Sequence, residues 1–243
     1  MKKNLPCLIL AGGLGTRLRS VLGEEFPKAL ASIKGQPFLS WLLQCLSQQG
    51  FTEVVLSVGY GRDRIKESLC RTSFNLSITL IEEDEPLGTG GAIKNALKVY
   101  GAPEMIVLNG DSMSDVRLGG LQDFFHMMRS DLVLAAAQVE DASRYASLRF
   151  DATSRRLHSL GENCGERGYI NAGVYAINVA RLLSIDTPKK FSFEHDFLRY
   201  QLKTLDIRVF PNITQFIDIG IPLDYERAQI VVPQLLGSFV DEA

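Results

Sequence analysis

The sequence is poor in cysteine, in histidine and in net charge. Four cysteines (Cys7, Cys45, Cys70 and Cys164) are scattered over 243 residues with no C-x-x-C pair. That spacing offers neither a zinc site nor a disulfide framework, and it suits a reducing cytosol. Buried, unreactive thiols are the expected state of these side chains. The three histidines, His126, His158 and His195, stand in unrelated contexts, so none is expected in catalysis. A formal net charge of −2 gives no reason to expect nucleic acid as a partner.

Long apolar runs are missing too. "MKK" followed by Leu5–Leu10 has the outline of a secretion signal. The run is only six residues, Pro6 included, before glycines and Arg17 end it, and such a signal needs about 7–15. No other stretch approaches the roughly 18 residues needed to cross a bilayer. A soluble cytoplasmic protein with no membrane partner is expected. Internal repeats and low-complexity linkers are also absent. With 46% hydrophobic residues, one domain spanning residues 1–243 can build a proper core. A homo-oligomer is compatible with all of this.

What the chain does have is alternation. "CLILAG" (Cys7–Gly12), "TEVVLSVGY", "LSITLIEE" and "EMIVLNGDS" read as short apolar strands, the last ending in Asp111. Between them, "PFLSWLLQCLSQQGF", "DRIKESLC" and "GTGGAIKNALKVYG" read as helices. Such βαβ units make a parallel sheet, and strands apolar throughout are covered on both faces. The second half is more mixed. "DLVLAAAQVE" and "SLRFDATSRRLHSL" predict strands and a hairpin turning near Asp151–Ser154. "YINAGVYAINVARLLSI" predicts a strand and then a helix, and "FSFEHDFLRYQLK" an amphipathic helix. "DIRVFPNITQFIDIG" predicts two strands with a turn at Pro211–Asn212, before a closing helix in "PLDYERAQIVVPQLL".

The first strand runs into Gly13-Leu14-Gly15-Thr16-Arg17-Leu18. A strand, a glycine turn and a helix point backbone N–H groups at a phosphate. The dinucleotide fingerprint G-x-G-x-x-G fails because its third glycine is Leu18, and no Walker motif is present. Arg17 just after the loop and Lys28 just after Pro27 supply two cations, which suits a triphosphate. Asp111 and Asp218 both follow apolar runs, and the carboxyl ends of parallel strands are where open α/β sheets bind ligands. Asp111 is either a cap on the next turn or a metal ligand; Asp218 is either a helix cap or the second ligand of a shared magnesium ion.

"LAGGLGTRLRSVLGEEFPKAL" resembles the signature of the sugar-1-phosphate nucleotidyltransferases. "EPLGTGGAI", "VLNGDS", "YINAGVY" and "FIDIGIPLDY" extend the resemblance over roughly residues 5–230. It implies an α/β, Rossmann-like fold. The central sheet is mostly parallel with helices on both faces, and a smaller β region lies on the acceptor side. Residues 1–115 form a nucleotide-binding half and 116–243 a sugar-phosphate-binding half. It also implies transfer of a nucleotidyl group from a nucleoside triphosphate to a sugar 1-phosphate, with Mg2+ and release of pyrophosphate. Arg19-Ser20-Val21, the short length, "EPLGTGGAIKNAL" and "FSFEHDFL" look most like guanylyltransferases that use D-glycero-α-D-manno-heptose 1-phosphate. GTP is therefore the favoured donor. A uridylyl- or thymidylyltransferase for a hexose or amino-sugar 1-phosphate is the alternative.

The resemblance assigns residues as well. Leu10, Ala11, Gly12, Gly13, Gly15, Thr16 and Arg17 hold the nucleotide, and Arg17, Lys28 and Asp111 are catalytic. Asp111 and Asp218 carry the metal. The loop with Glu85, Gly88 and Thr89 reads the base. Glu85 suits guanine, since a carboxylate accepts from N1–H and N2–H₂ but repels the acceptor-rich edge of uracil or thymine; its alternative is a solvated loop acid beside Glu82, Glu83 and Asp84. Gly88 would let the backbone approach the base. Asn109, Gly110, Glu162, Asn171 and Gly173 face the sugar. In the family a lysine follows the glutamate corresponding to Glu162, and here Asn163 replaces it. Arg167 or Lys28 is expected to supply the missing charge. Two other classes fare worse. A non-catalytic relative would not need Arg17, Lys28, Asp111 and Asp218 together, and an NAD(P)-dependent oxidoreductase lacks its third glycine.

Overall fold

The computed structural model describes residues 3–13, 15–18, 23, 26–71, 74–162 and 167–239, with the side chains of Thr16 and Glu162 left aside. Strand β1 (Cys7–Leu10) is followed by a small hairpin, β2 (Ser32–Ile33) and β3 (Gln36–Pro37), and by helix α1 (Phe38–Gln48). Then come β4 (Glu53–Val58), α2 (Arg62–Cys70), β5 (Ser77–Glu82), α3 (Gly88–Tyr100) and β6 (Glu104–Asn109). All neighbours in the order β6-β1-β4-β5 are parallel. Leu8 of β1 stands between Val55 and Val107. Leu10 and Asn109 end their strands level with Ser57, one residue before the end of β4, so the loops beyond them share one edge of the sheet.

The chain continues through β7 (Ser112–Ser114), α4 (Leu118–Met128), β8 (Leu132–Val139), β9 (Ser147–Phe150), β10 (Leu157–Glu162) and β11 (Gly168–Asn178). It ends with α5 (Val179–Leu183), a π-helical turn (Phe193–Leu198), α6 (Arg199–Gln201), β12 (Ile207–Ile213), β13 (Phe216–Asp218) and α7 (Pro222–Gly237). β11 runs antiparallel to β6 and β8 and joins both sets of strands into one sheet of nine. The expected mostly parallel sheet is present, and its antiparallel share is concentrated around β11. Alternate residues of β1 feed two apolar layers: Cys7 and Ile9 face α1, α4 and α7, whereas Leu8 faces α3 and α5. Helices thus cover both faces, which is why these strands carry no polar alternation.

Three expectations need correction. β6 stops at Asn109, so Asp111 sits in the turn between β6 and β7 and not on the strand. The turn expected at Pro211–Asn212 lies three residues later, at Thr214–Gln215. β12 runs on to Ile213 through a register irregularity, where a proline without an N–H is tolerated. Asp115 then closes the real turn by accepting from the Thr214 N–H at 3.1 Å. The expected helix at "FSFEHDFLRYQLK" begins as a π-helical turn, with Ser192 Oγ accepting from the His195 N–H. The hairpin near Asp151 is as expected: Asp151 Oδ1 accepts from the N–H groups of Thr153 and Ser154. No described helix is long and apolar enough to cross a membrane.

Candidate active site

A cavity of about 280 Å³ opens at the carboxyl ends of β1 and β6. Leu10, Ala11, Gly12 and Gly13 form one wall as the chain leaves β1. Asn109, Gly110 and Asp111 form the opposite wall, and Gly88 and Thr89 enter from the start of α3. The sequence had placed all of these in the site. The strand order explains the convergence: β1 and β6 are parallel neighbours, so both exit loops meet on one side.

Lys28 closes the floor. It begins a short 3₁₀ turn whose next residues, Ala29 and Leu30, are buried. Its largely buried ammonium donates to Asp111 Oδ2 at 2.6 Å and reaches Asp218 Oδ1 at 3.5 Å. Gly15 stands against the Lys28 side chain. Asp218 arrives from far along the chain because β13 pairs antiparallel with β7, which sets Asp218 opposite Ser112, the neighbour of Asp111. Burial and the charge of Asp111 push the Asp218 carboxyl above its usual range, and Lys28 and the Gly220 N–H oppose them. Asp218 is not the cap of α7, whose capping position is Ile221. Two crowded carboxylates in a phosphate-sized cavity suit a divalent cation that keeps several waters. Among the described residues, no histidine, cysteine or further acidic group combines with them into a three-residue metal-binding cluster.

A second cavity of about 120 Å³ shares Asn109 and Asp111 with the first and is also lined by Tyr145, Asn171, Glu194 and Asp218. Asn171 Nδ2 donates to Tyr175 Oη at 2.6 Å and to Glu194 Oε1 at 2.8 Å, while its Oδ1 accepts from the Gly173 N–H. Gly173 sits in an irregular part of β11 at φ +70°, and a Cβ there would fall 2.5 Å from Asn109 Nδ2. Glycine lets the two asparagines share this corner. Burial raises the Glu194 carboxyl above its ordinary range. The sequence reading did not single out Glu194. The available signal was an acid framed by Phe193 and Phe197, whose rings stack behind it.

Several assigned residues fall elsewhere. Glu85 does not line the cavity; it is exposed and paired with Lys189. The carboxylate that turns inward is Glu83, whose Oε1 accepts from Ser57 Oγ at 2.8 Å. Gly88 has φ +69°, but its free side faces the Phe191 carbonyl, 2.6 Å from where a Cβ would be. Its smallness makes room for the 187–193 segment, while the residue also lines the larger cavity. Thr89 Oγ1 accepts from the Phe193 N–H at 2.9 Å. Arg17 lies exposed on the 3₁₀ turn Thr16–Leu18 and does not line the cavity. Thr16 shares that turn, and Glu162 ends β10; their side chains lie outside the described residues, as does Asn163. Arg167 is exposed and pairs with Glu140 at 3.4 Å. Neither cavity is lined by a histidine.

The family model described as nucleotidyl transferase matches residues 7–232, the stretch that holds the glycine exit loop, Lys28 and the Asp111–Asp218 pair. The chain belongs to that family. It is 37% identical to the D-glycero-alpha-D-manno-heptose 1-phosphate guanylyltransferase of Aneurinibacillus thermoaerophilus, over 93% of this chain and 97% of that one. Identity to the protein of the same name from Campylobacter jejuni is also 37%, over 91% and 97%. The crystal structure of HddC from Yersinia pseudotuberculosis superposes with a TM-score of 0.83 at 39% identity, covering 93% of this chain and 98% of that one. The same protein has been solved in complex with GMP-PN. As a nucleotidyltransferase, the chain has a Rossmann-like fold and is an enzyme that acts on nucleotides.

Proposed function

We propose that this nucleotidyltransferase joins GTP and D-glycero-α-D-manno-heptose 1-phosphate, giving GDP-heptose and pyrophosphate. The observation that carries this reading is the meeting of two cavities at Asn109 and Asp111, with Lys28 between Asp111 and Asp218. The larger cavity takes the nucleotide and the smaller one the sugar. Their shared wall is where the sugar phosphate meets the α-phosphate. Residues 1–115 serve mainly the nucleotide and residues 116–243 mainly the sugar phosphate, within one domain. The names of the relatives support the choice of base and sugar.

The reaction needs no protein nucleophile. A phosphate oxygen of the sugar 1-phosphate attacks the α-phosphorus in line, a P–O bond forms, and the bond to pyrophosphate breaks. Catalysis is then alignment and charge neutralisation. The N–H groups of Gly12, Gly13 and Gly15 cradle phosphate oxygens, Lys28 faces the α-phosphate, and Arg17 closes over the triphosphate from the rim. Asn171 and Glu194 hold sugar hydroxyls. Asp111 and Asp218 would hold Mg2+, which when bound supplies positive charge to the phosphates.

Pyrophosphate release, measured for four nucleoside triphosphates against several sugar 1-phosphates, tests the reading. The GTP and heptose phosphate pair is expected to give the highest kcat/KM. A preference for UTP or dTTP with a hexose phosphate would overturn the guanylyl assignment and leave the reaction class standing.

A further inference from the structure

Three carboxylates, Asp111, Glu194 and Asp218, converge on the smaller cavity, and no lysine or arginine lines it among the described residues. A sugar 1-phosphate brings about two more negative charges at neutral pH. Lys28, the nearest ammonium, is engaged with two of those carboxylates already. Arg167 is turned toward Glu140. Beside the Mg2+ that Asp111 and Asp218 would hold, a further cation at the rim would favour entry of an anion into this acidic pocket.

We propose that Arg144 is the acceptor-phosphate-binding residue of this enzyme. It precedes Tyr145, which lines the cavity, and its guanidinium carbon lies 5.5 Å from the centre of that ring. Arg144 Nη2 donates to Asp224 Oδ2 at 2.6 Å. Asp224 is 1% exposed, so the contact fixes the guanidinium on a rigid anchor in the first turn of α7. Asp218, which lines the cavity, acts on the same guanidinium electrostatically.

The charge balance favours this use. Asp224 Oδ1 also accepts from Arg227 Nη1 at 2.9 Å, so Arg144 shares its anchoring carboxylate with a second guanidinium and is not fully neutralised by it. The Arg144 side chain is 42% exposed, which leaves it open to an incoming ligand. A guanidinium carries five N–H donors in a planar fork that fits phosphate oxygens. Arg144 thus supplies the charge that Asn163 takes away from the family pattern.

The inference rests on the proposed sugar 1-phosphate acceptor, and steady-state kinetics of the full chain separates the two. With GTP and heptose 1-phosphate, Arg144→Gln is expected to raise KM for the sugar phosphate about 10- to 100-fold, the range for a charged hydrogen bond. KM for GTP should move less than about threefold, which a general structural defect would not spare. Arg167→Ala should leave both values within about twofold. An unchanged acceptor KM in Arg144→Gln, or an equal rise for GTP, overturns the inference. If circular dichroism shows Arg144→Gln unfolded, Arg144→Lys decides, since it keeps the charge against Asp224 and loses the fork. A rise of about threefold or more in its acceptor KM alone supports the assignment, and an unchanged value overturns it. A wild-type enzyme that releases no pyrophosphate with any sugar phosphate sinks the functional reading itself.

Discussion

Lys28 Nζ stands 2.6 Å from Asp111 Oδ2, across 83 residues of sequence. The contact holds the floor of the larger cavity and separates Asp111 from Asp218. Asp111→Asn is expected to preserve the fold, since the side chain is partly exposed, and to lower kcat at saturating Mg2+ by about 100-fold or more, the scale of losing one electrostatic group in a phosphate site. Chelation of divalent metal with EDTA should abolish turnover of the wild type, and added Mg2+ should restore it. A kcat for Asp111→Asn within about threefold of wild type would remove Asp111 from the metal site.

The acid that lines the larger cavity is two residues from the one the sequence pointed to. Glu85 pairs with Lys189 outside the cavity, while Glu83 accepts from Ser57 Oγ and from the Leu87 N–H. Glu85→Gln should leave the GTP-to-UTP ratio of kcat/KM within about twofold. Glu83→Gln places an amide donor in a site built from donors. An unpaired group there costs about 1–3 kcal/mol, so KM for GTP should rise roughly 5- to 100-fold. The reverse pattern would restore Glu85 as the base reader.

The outcome at Glu85 shows what a sequence carries and what it hides. The βαβ alternation and the exit loops of β1 and β6 were legible, because each follows from a strand ending in small or charged residues; Lys28, Asp111 and Asp218 were each visible, but the contact of Lys28 with both aspartates was not, because it is made across distant parts of the chain. Which of four consecutive loop positions, Glu82 to Glu85, turns inward depends on the exit angle from β5, and local composition does not encode it. Glu194 was obscured for a related reason. Its segment reads as an ordinary amphipathic helix, but a π-helical turn directs the acid at Asn171. Gly88 was visible as special, yet the atom it makes room for belongs to Phe191, about a hundred residues away.

Thr89 joins the two cavities. It lines the larger one, and its hydroxyl accepts from the N–H of Phe193, the residue before Glu194. The Phe191 N–H and carbonyl are bound to the same loop through Leu87 and Gly90. Thr89→Ala should therefore raise KM for the sugar phosphate about three- to tenfold, the worth of one hydrogen bond, and more than it raises KM for GTP. Thr89→Ser keeps the acceptor and should restore the wild-type value. A rise confined to GTP would make Thr89 a nucleotide ligand only.

Glu194 links stability to pH. Burial raises its carboxyl above the ordinary range; Asp111 and Asp218 push the same way, and Tyr175 and His195 oppose them. The folded state thus binds this proton more tightly than the unfolded chain does. The sign follows from linkage: stability from this group is full at low pH and is lost as pH rises from the ordinary carboxylate range through the raised value. Glu194→Gln mimics the protonated form, and its carbonyl oxygen can still accept from Asn171 and Tyr175. The variant should match wild type near pH 4. Near pH 8 it should melt about 1–3 °C higher, since roughly 1 kcal/mol shifts Tm by about 2–4 °C in a chain of this size. Acceptor KM should rise at the same time, because the acid proposed to hold sugar hydroxyls has become an amide. Thermal melts of both proteins from pH 4 to 8 check this. A Tm difference that is constant across the series, or that grows toward low pH, would show that Glu194 is not held as a tightly protonated acid in the folded enzyme.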